Sequence, residues 1–177
     1  GFAGSGYLLL PPQPTDFYFD DTREGIAAFG RPDGNELLVE RVHVPCLTGP
    51  MCAISGGGYE LTSVRVVTPS GGPAAGYGDG MGKAGLALQP LQAIAEPSGA
   101  LLVLGRAVAG IGGARQNALE RLTPQGLPDA GFRASVLAAL ACPGFDPLRS
   151  FGAAMARRAD GKLLVAQSYA TDTTPVN

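Results

Sequence analysis

Three glycine turns, about sixty residues apart, constrain this chain more than any other feature. Each leads into a short apolar run: Asp33-Gly34-Asn35-Glu36-Leu37-Leu38-Val39, Ser98-Gly99-Ala100-Leu101-Leu102-Val103-Leu104 and Asp160-Gly161-Lys162-Leu163-Leu164-Val165-Ala166. Glycine accepts the positive φ of a tight turn, and Asp or Ser can bond nearby backbone N–H groups. The aliphatic runs are short and bounded by turn residues, which reads as strand. A turn–strand module at a fixed interval marks a repeat architecture, in which each unit has an apolar face that only a neighbour buries.

The remaining segments fall into the same phase. Residues 26–29, 37–44, 59–67 and 86–88 read as four strands of one unit, and 91–95, 101–108, 117–122 and 136–140 as four strands of the next. Residues 153–156 and 163–169 begin a third. A second turn recurs as Thr68-Pro69-Ser70-Gly71-Gly72 and Thr123-Pro124-Gln125-Gly126. An aromatic after glycine recurs as Gly1-Phe2, Gly76-Tyr77 and Gly131-Phe132. The units are expected at 25–90, 91–150 and 151–177, with 1–24 as the end of a preceding blade plus a connection, all in one domain. The pattern thus reads as starting and stopping within a unit. Alanine-rich 134–141 and 152–159 have helical propensity, but their place in the repeat argues for strand. The 27 glycines and 15 prolines, with only 16% charged residues, suit many short strands and many turns. The expected fold is all-β: propeller-like repeats, four short strands per blade, in a partial or open ring. A two-sheet sandwich is the rival.

The residues that carry the repeat resemble a known family. Ala153 through Ala166 supplies an apolar strand, Asp-Gly-Lys and a second apolar strand, and Leu122-Thr123-Pro124-Gln125-Gly126-Leu127-Pro128-Asp129-Ala130-Gly131-Phe132 supplies the companion motif. Together they look like the delta-60 repeat, a domain of unknown function with β-propeller architecture. The likeness is strongest over 91–166. The first unit departs from it, because Thr68-Pro69-Ser70-Gly71-Gly72-Pro73 lacks the Leu and Asp of the motif. The resemblance implies a bacterial, exported protein. It carries no catalytic residues over to this chain.

Candidate chemistry is sparse. Gly80-Met81-Gly82-Lys83-Ala84-Gly85 fits the dinucleotide fingerprint by residue type, but that motif needs a strand before it and a helix after it. The segment that follows is short and reaches Pro90, so it reads as an inter-strand loop. The only histidine, His43, lacks a Gly-x-Ser-x-Gly partner elbow and reads as structural. Asp20, Asp21 and Glu24 form an acidic cluster without a calcium-loop pattern. Asp33, Asp129 and Asp160 read as turn residues; by type alone, two of them would also fit a glycosidase pair. The structural turn residues are thus Asp33, Gly34, Ser98, Gly99, Asp160 and Gly161. Cys46 and Cys52 bracket a Gly-Pro turn, and a disulfide is expected between them, which implies an oxidising compartment; two free thiols are the alternative. Cys142 is left over.

The net charge of −2 gives no electrostatic footprint for nucleic acid, and no apolar stretch has the length of a membrane span. No cofactor or metal is implied. The expectation is a non-catalytic scaffold or binding module, secreted, periplasmic or at the bacterial cell surface. Its partner would be a protein or another copy of itself, met through exposed blade faces. Two alternatives stand beside it: a glycan-active propeller hydrolase with loop carboxylates, and a self-assembling filament or surface-layer subunit.

Overall fold

The computed structural model describes residues 22–45, 58–86, 88–109, 114–132 and 150–169. The described residues form three antiparallel sheets. Strands β1 (Thr22–Gly30), β2 (Glu36–Pro45), β3 (Gly58–Val67) and β4 (Lys83–Leu86) make the first sheet. Strands β5 (Leu88–Ala95), β6 (Leu101–Ala109) and β7 (Ala114–Leu122) make the second, and β8 (Ser150–Arg157) with β9 (Leu163–Tyr169) the third. The fold is all-β. Among the described residues the sheets hold four, three and two strands rather than four each, and they do not close into a ring.

The hairpin turns repeat bond for bond. The Arg31 N–H donates to the Asn35 carbonyl (2.8 Å) and the Gly34 N–H to the Arg31 carbonyl (3.0 Å). Glu96, Gly99 and Ala100 form the same pair of bonds, as do Arg158, Gly161 and Lys162. The three glycines have φ of 80°, 85° and 84°, a region that costs any residue with a β-carbon. The preceding side chain completes each turn: Asp33 Oδ1 accepts from the Asn35 N–H (3.1 Å), Ser98 Oγ from Ala100 (3.4 Å) and Asp160 Oδ1 from Lys162 (3.1 Å).

The second turns also match, although their sequences diverge. Thr68, Gly71 and Gly72 repeat the two bonds, and so do Thr123, Gly126 and Leu127. The chain then folds back identically, with the Ala74 N–H donating to the Val66 carbonyl and the Asp129 N–H to the Arg121 carbonyl. Gly72 and Ala74 replace Leu127 and Asp129 without altering the path, because these bonds are all main-chain. The first strand of every sheet also carries a β-bulge, at Ile26, Leu91 and Phe151.

Strand alternation gives each sheet two faces, and the sheets stack by one rule. Leu37, Val39, Val64 and Val66 of the first sheet, joined by Ala27 and Phe29, pack on Ala93, Leu101, Val103 and Leu122 of the second. The opposite face of the second sheet, with Leu102, Leu104, Leu119 and Ile94, packs on Met155, Leu163 and Val165 of the third. Counted from the hairpin glycines, Phe29, Leu37 and Val39 occupy the places of Ile94, Leu102 and Leu104. Ala93, Leu101 and Val103 likewise occupy those of Met155, Leu163 and Val165. The second sheet is therefore a middle layer, and Leu101–Leu104 are all at most 1% exposed.

Two sequence expectations need correction. Residues 86–88 do not form one strand: β4 ends at Leu86, and Leu88 opens β5 opposite Ala107. The buried Thr62 hydroxyl donates to the Leu88 carbonyl (2.8 Å), which ties the start of the second sheet to the first. In addition, β1 reaches back to Thr22, and β7 starts at Ala114 rather than Asn117. Their main chains pair with β2 and β6 whatever the polarity of the side chains. Residues 134–141 lie outside the described residues.

Candidate functional site

The side chains with most chemistry gather where sheets meet. At the first junction, Arg31 forms a local pair with Asp33 (3.2 Å) and extends Nη2 to the Pro124 carbonyl of the second sheet (3.2 Å). Its guanidinium sits 5.6 Å from the centre of the Tyr77 ring, a cation–π distance. Tyr77 in turn lies on the Thr123–Gly126 turn, and the neighbouring Gly78 N–H donates to the Gln125 carbonyl (2.7 Å). Burial pushes the Tyr77 phenol up to about 12, against the opposing pull of Arg31.

The second junction is ionic. Arg121 binds Glu96 through Nε (2.8 Å) and Asp129 through Nη1 (2.9 Å), and stands 6.0 Å from the Phe132 ring. Arg157 of the third sheet approaches Glu96 from the other side (3.9 Å). Asp129 also accepts the Phe132 N–H (3.0 Å); that bond first, then Arg121, holds its carboxyl below the usual range. Gln92 reaches across with its amide, donating to the Met155 carbonyl and accepting the Met155 N–H, each at 2.7 Å. Asn117 donates to Gln167 of the third sheet (3.2 Å).

A third pair is buried within the first sheet. Arg65 grips Glu40 with two prongs, Nε to Oε2 (2.8 Å) and Nη2 to Oε1. Beside it, between β1 and β2, is a shallow apolar concavity of about 320 Å³ lined by Gly25, Ile26, Ala28, Leu38 and Glu40.

The residues singled out from sequence fall in separate places. Asp33, Gly34, Ser98, Gly99, Asp160 and Gly161 sit in the three hairpin turns. Asp129 belongs to the second junction, where it pairs with Arg121 and accepts the Phe132 N–H. His43 lies half-buried in β2 opposite Thr22 and Glu60. Glu24 pairs with Arg41 (2.7 Å). The Gly80–Gly85 segment runs into strand β4 rather than a helix, so the phosphate-cradling geometry of the dinucleotide motif is not built there. Asp79 instead shapes that loop, accepting from the Met81 (2.8 Å) and Lys83 (3.1 Å) N–H groups. Asp20, Asp21, Cys46, Cys52 and Cys142 lie outside the described residues. Among the described residues no three His, Cys, Asp or Glu side chains converge as metal ligands would, and no helix is long and apolar enough to cross a membrane.

Sequence reasoning missed Arg31, Arg121 and the role of Tyr77. The recurrence of Gly76-Tyr77 and Gly131-Phe132 marked the aromatic position. It gave no hint of the arginine beside each ring, since one comes from a hairpin turn and the other from the end of β7.

Chemically, these arrangements fasten sheets together. Each guanidinium at a junction binds a carboxylate or carbonyl across strands or sheets, and the Asp129 carboxyl is held below its usual range by its donors, the reverse of a general acid. Compared with protein-family models, curated proteins and solved structures, the chain has no match.

Proposed function

We propose that this chain is a non-catalytic scaffold or binding module of propeller-like blades, acting outside the cell or on its surface as a segment or subunit of a larger assembly. The observation that carries this reading is the shared stacking rule: equivalent residues of successive sheets bury equivalent faces. Meandering sheets stacked face to face are how propeller blades are arranged, and the interval of about sixty residues with its delta-60 resemblance supports the same view. The ionic groups at both junctions act as fasteners, which suits a scaffold.

Extracellular placement rests on the expected Cys46–Cys52 disulfide and on the resemblance. Alkylation without reductant, followed by mass spectrometry, should modify Cys142 alone. Modification of all three cysteines would move the protein to a reducing compartment.

The glycan-hydrolase alternative would use acids such as Glu96 and Asp129. The test is turnover of a panel of chromogenic glycosides by the purified chain, beside Glu96→Gln and Asp129→Asn. We expect no turnover that either substitution removes. Turnover lost in either variant, with the fold retained, would replace the scaffold reading by the hydrolase.

A further inference from the structure

The third sheet keeps one face in solvent. β8 and β9 turn Met155, Leu163 and Val165 toward the second sheet. Alternation sends the residues between them to the other side: Ala156 opposite Leu164, and Ala154 opposite Ala166. All four are exposed. Counted from the hairpin glycines, Leu164 is the counterpart of Leu37 and Leu102. Those two are 1% exposed, each seated on the next sheet, whereas Leu164 is 55% exposed.

A second copy cannot cover this face by the rule that stacks the three sheets, because its receiving faces are taken. Ala93, Leu101 and Val103 lie against the first sheet, and Met155, Leu163 and Val165 against the second. The matching face of the first sheet is closed over β2 and β3, where Glu40, Val42, Ser63, Arg65 and Val67 are 4–8% exposed. Among the described residues, the open sheet face that a second copy offers in return is the same face of its third sheet.

That face fits itself. It carries one large side chain, Leu164, and three alanines, so a knob stands beside a hollow. Two copies met face to face about a two-fold axis set each knob in the other's hollow, which is an isologous contact. Charge chooses between two such axes. At the hairpin end, Arg158 and Lys162 share the carboxylate of Asp160 (3.6 and 4.0 Å), which leaves that end cationic. An axis along the strands would lay two cationic ends together. An axis across the strands lays each hairpin end over the far end of the other sheet. It seats Leu164 on the partner's Ala166, and Ala156 on the partner's Ala154.

We propose that this chain forms a two-fold dimer through the outer faces of its third sheets, with the two β9 strands antiparallel across the contact. The proposal rests on the stacked-scaffold reading and names the surface and the partner. Four side chains from each copy fall well short of the roughly 800 Å² per partner of a standard interface. The dimer is therefore weak, with an expected Kd of roughly 100 μM.

Sedimentation velocity of the purified chain, from low micromolar to several hundred micromolar, tests this. The mass should rise with concentration and level off at two chains. Leu164→Asp and Ala166→Lys, each at an exposed position, should each weaken association about tenfold or more. Mixed in equal amounts they should associate more tightly than either alone, because each Asp then faces a Lys. Ala156→Lys in place of Ala166→Lys should give no such rescue.

A chain that stays monomeric throughout, a mass that climbs past two chains, a Leu164→Asp variant that associates like the parent, or rescue by Ala156→Lys instead of Ala166→Lys would each overturn the proposal. A monomer that still unfolds in one cooperative transition would do so while leaving the stacked-scaffold reading intact.

Discussion

Gly126 lies beneath the ring of Tyr77 so closely that a β-carbon on it would stand 2.7 Å from two ring carbons and 2.8 Å from the Gly78 nitrogen. Its φ is 80°, which already disfavours any other residue. The contact fixes how the long β3–β4 connection meets the second sheet.

Gly126→Ala should therefore cost far more than Gly34→Ala. Gly34 has the same φ of 80°, but its β-carbon would meet nothing within 4 Å. The expected losses in urea denaturation are about 1 kcal/mol for Gly34→Ala and about 2–4 kcal/mol for Gly126→Ala, strain plus overpacking. Equal losses would mean that Tyr77 is not seated on the turn.

Tyr77 makes stability depend on alkaline pH. Its folded-state pKa is pushed up to about 12, above the ordinary phenol value of about 10, because burial disfavours the phenolate. The folded chain thus keeps a proton that the unfolded chain releases. The contribution is whole below pH 10 and is lost as pH rises toward 12, by about 2–3 kcal/mol. Tyr77→Phe removes this loss. Its cost at neutral pH should be small, since the hydroxyl has no hydrogen-bond partner among the described residues. Urea midpoints for both chains between pH 8 and 12 check this, and a parallel alkaline decline in Tyr77→Phe would refute it.

The Glu40–Arg65 pair should be costly to break and cheap to replace. Both residues are 8% exposed. Glu40→Leu strips Arg65 of its two-pronged partner inside the sheet, with an expected loss of about 3–5 kcal/mol. Adding Arg65→Met should recover most of that, since a well-packed apolar pair rivals a buried ionic one. A double-mutant cycle measures the coupling; losses that simply add would place the pair in solvent.

The turns were legible in the sequence because the backbone requirement is written there. Gly34, Gly99 and Gly161 are where φ must be positive, and Asp33, Ser98 and Asp160 are where a side chain can close the turn. The strands were legible for a similar reason, since β-branched and aliphatic runs sit between the turns. The stacking was not. Leu101 through Leu104 is uniformly apolar because both faces of the middle sheet are buried, so alternation cannot say which residue faces which neighbour. The change of sheet between Leu86 and Leu88 was hidden in the same way, both residues being buried leucines. The junctions were illegible because they are long-range. Arg31 meets Tyr77 and Pro124, and Arg121 meets Glu96, only once the sheets are in place. Nothing local to those residues announces the partner.

The central claim is that the sheets stack through equivalent faces, leaving one face of the third sheet uncovered in the monomer. Leu37, Leu102 and Leu164 test it most directly, because they hold one position in three sheets. In dilute solution, replacing each by alanine and measuring unfolding free energy should give losses of about 2–5 kcal/mol at Leu37 and Leu102. The loss at Leu164 should be within about 0.5 kcal/mol of zero. Equal losses at all three, or a negligible loss at Leu37 or Leu102, would contradict the stack.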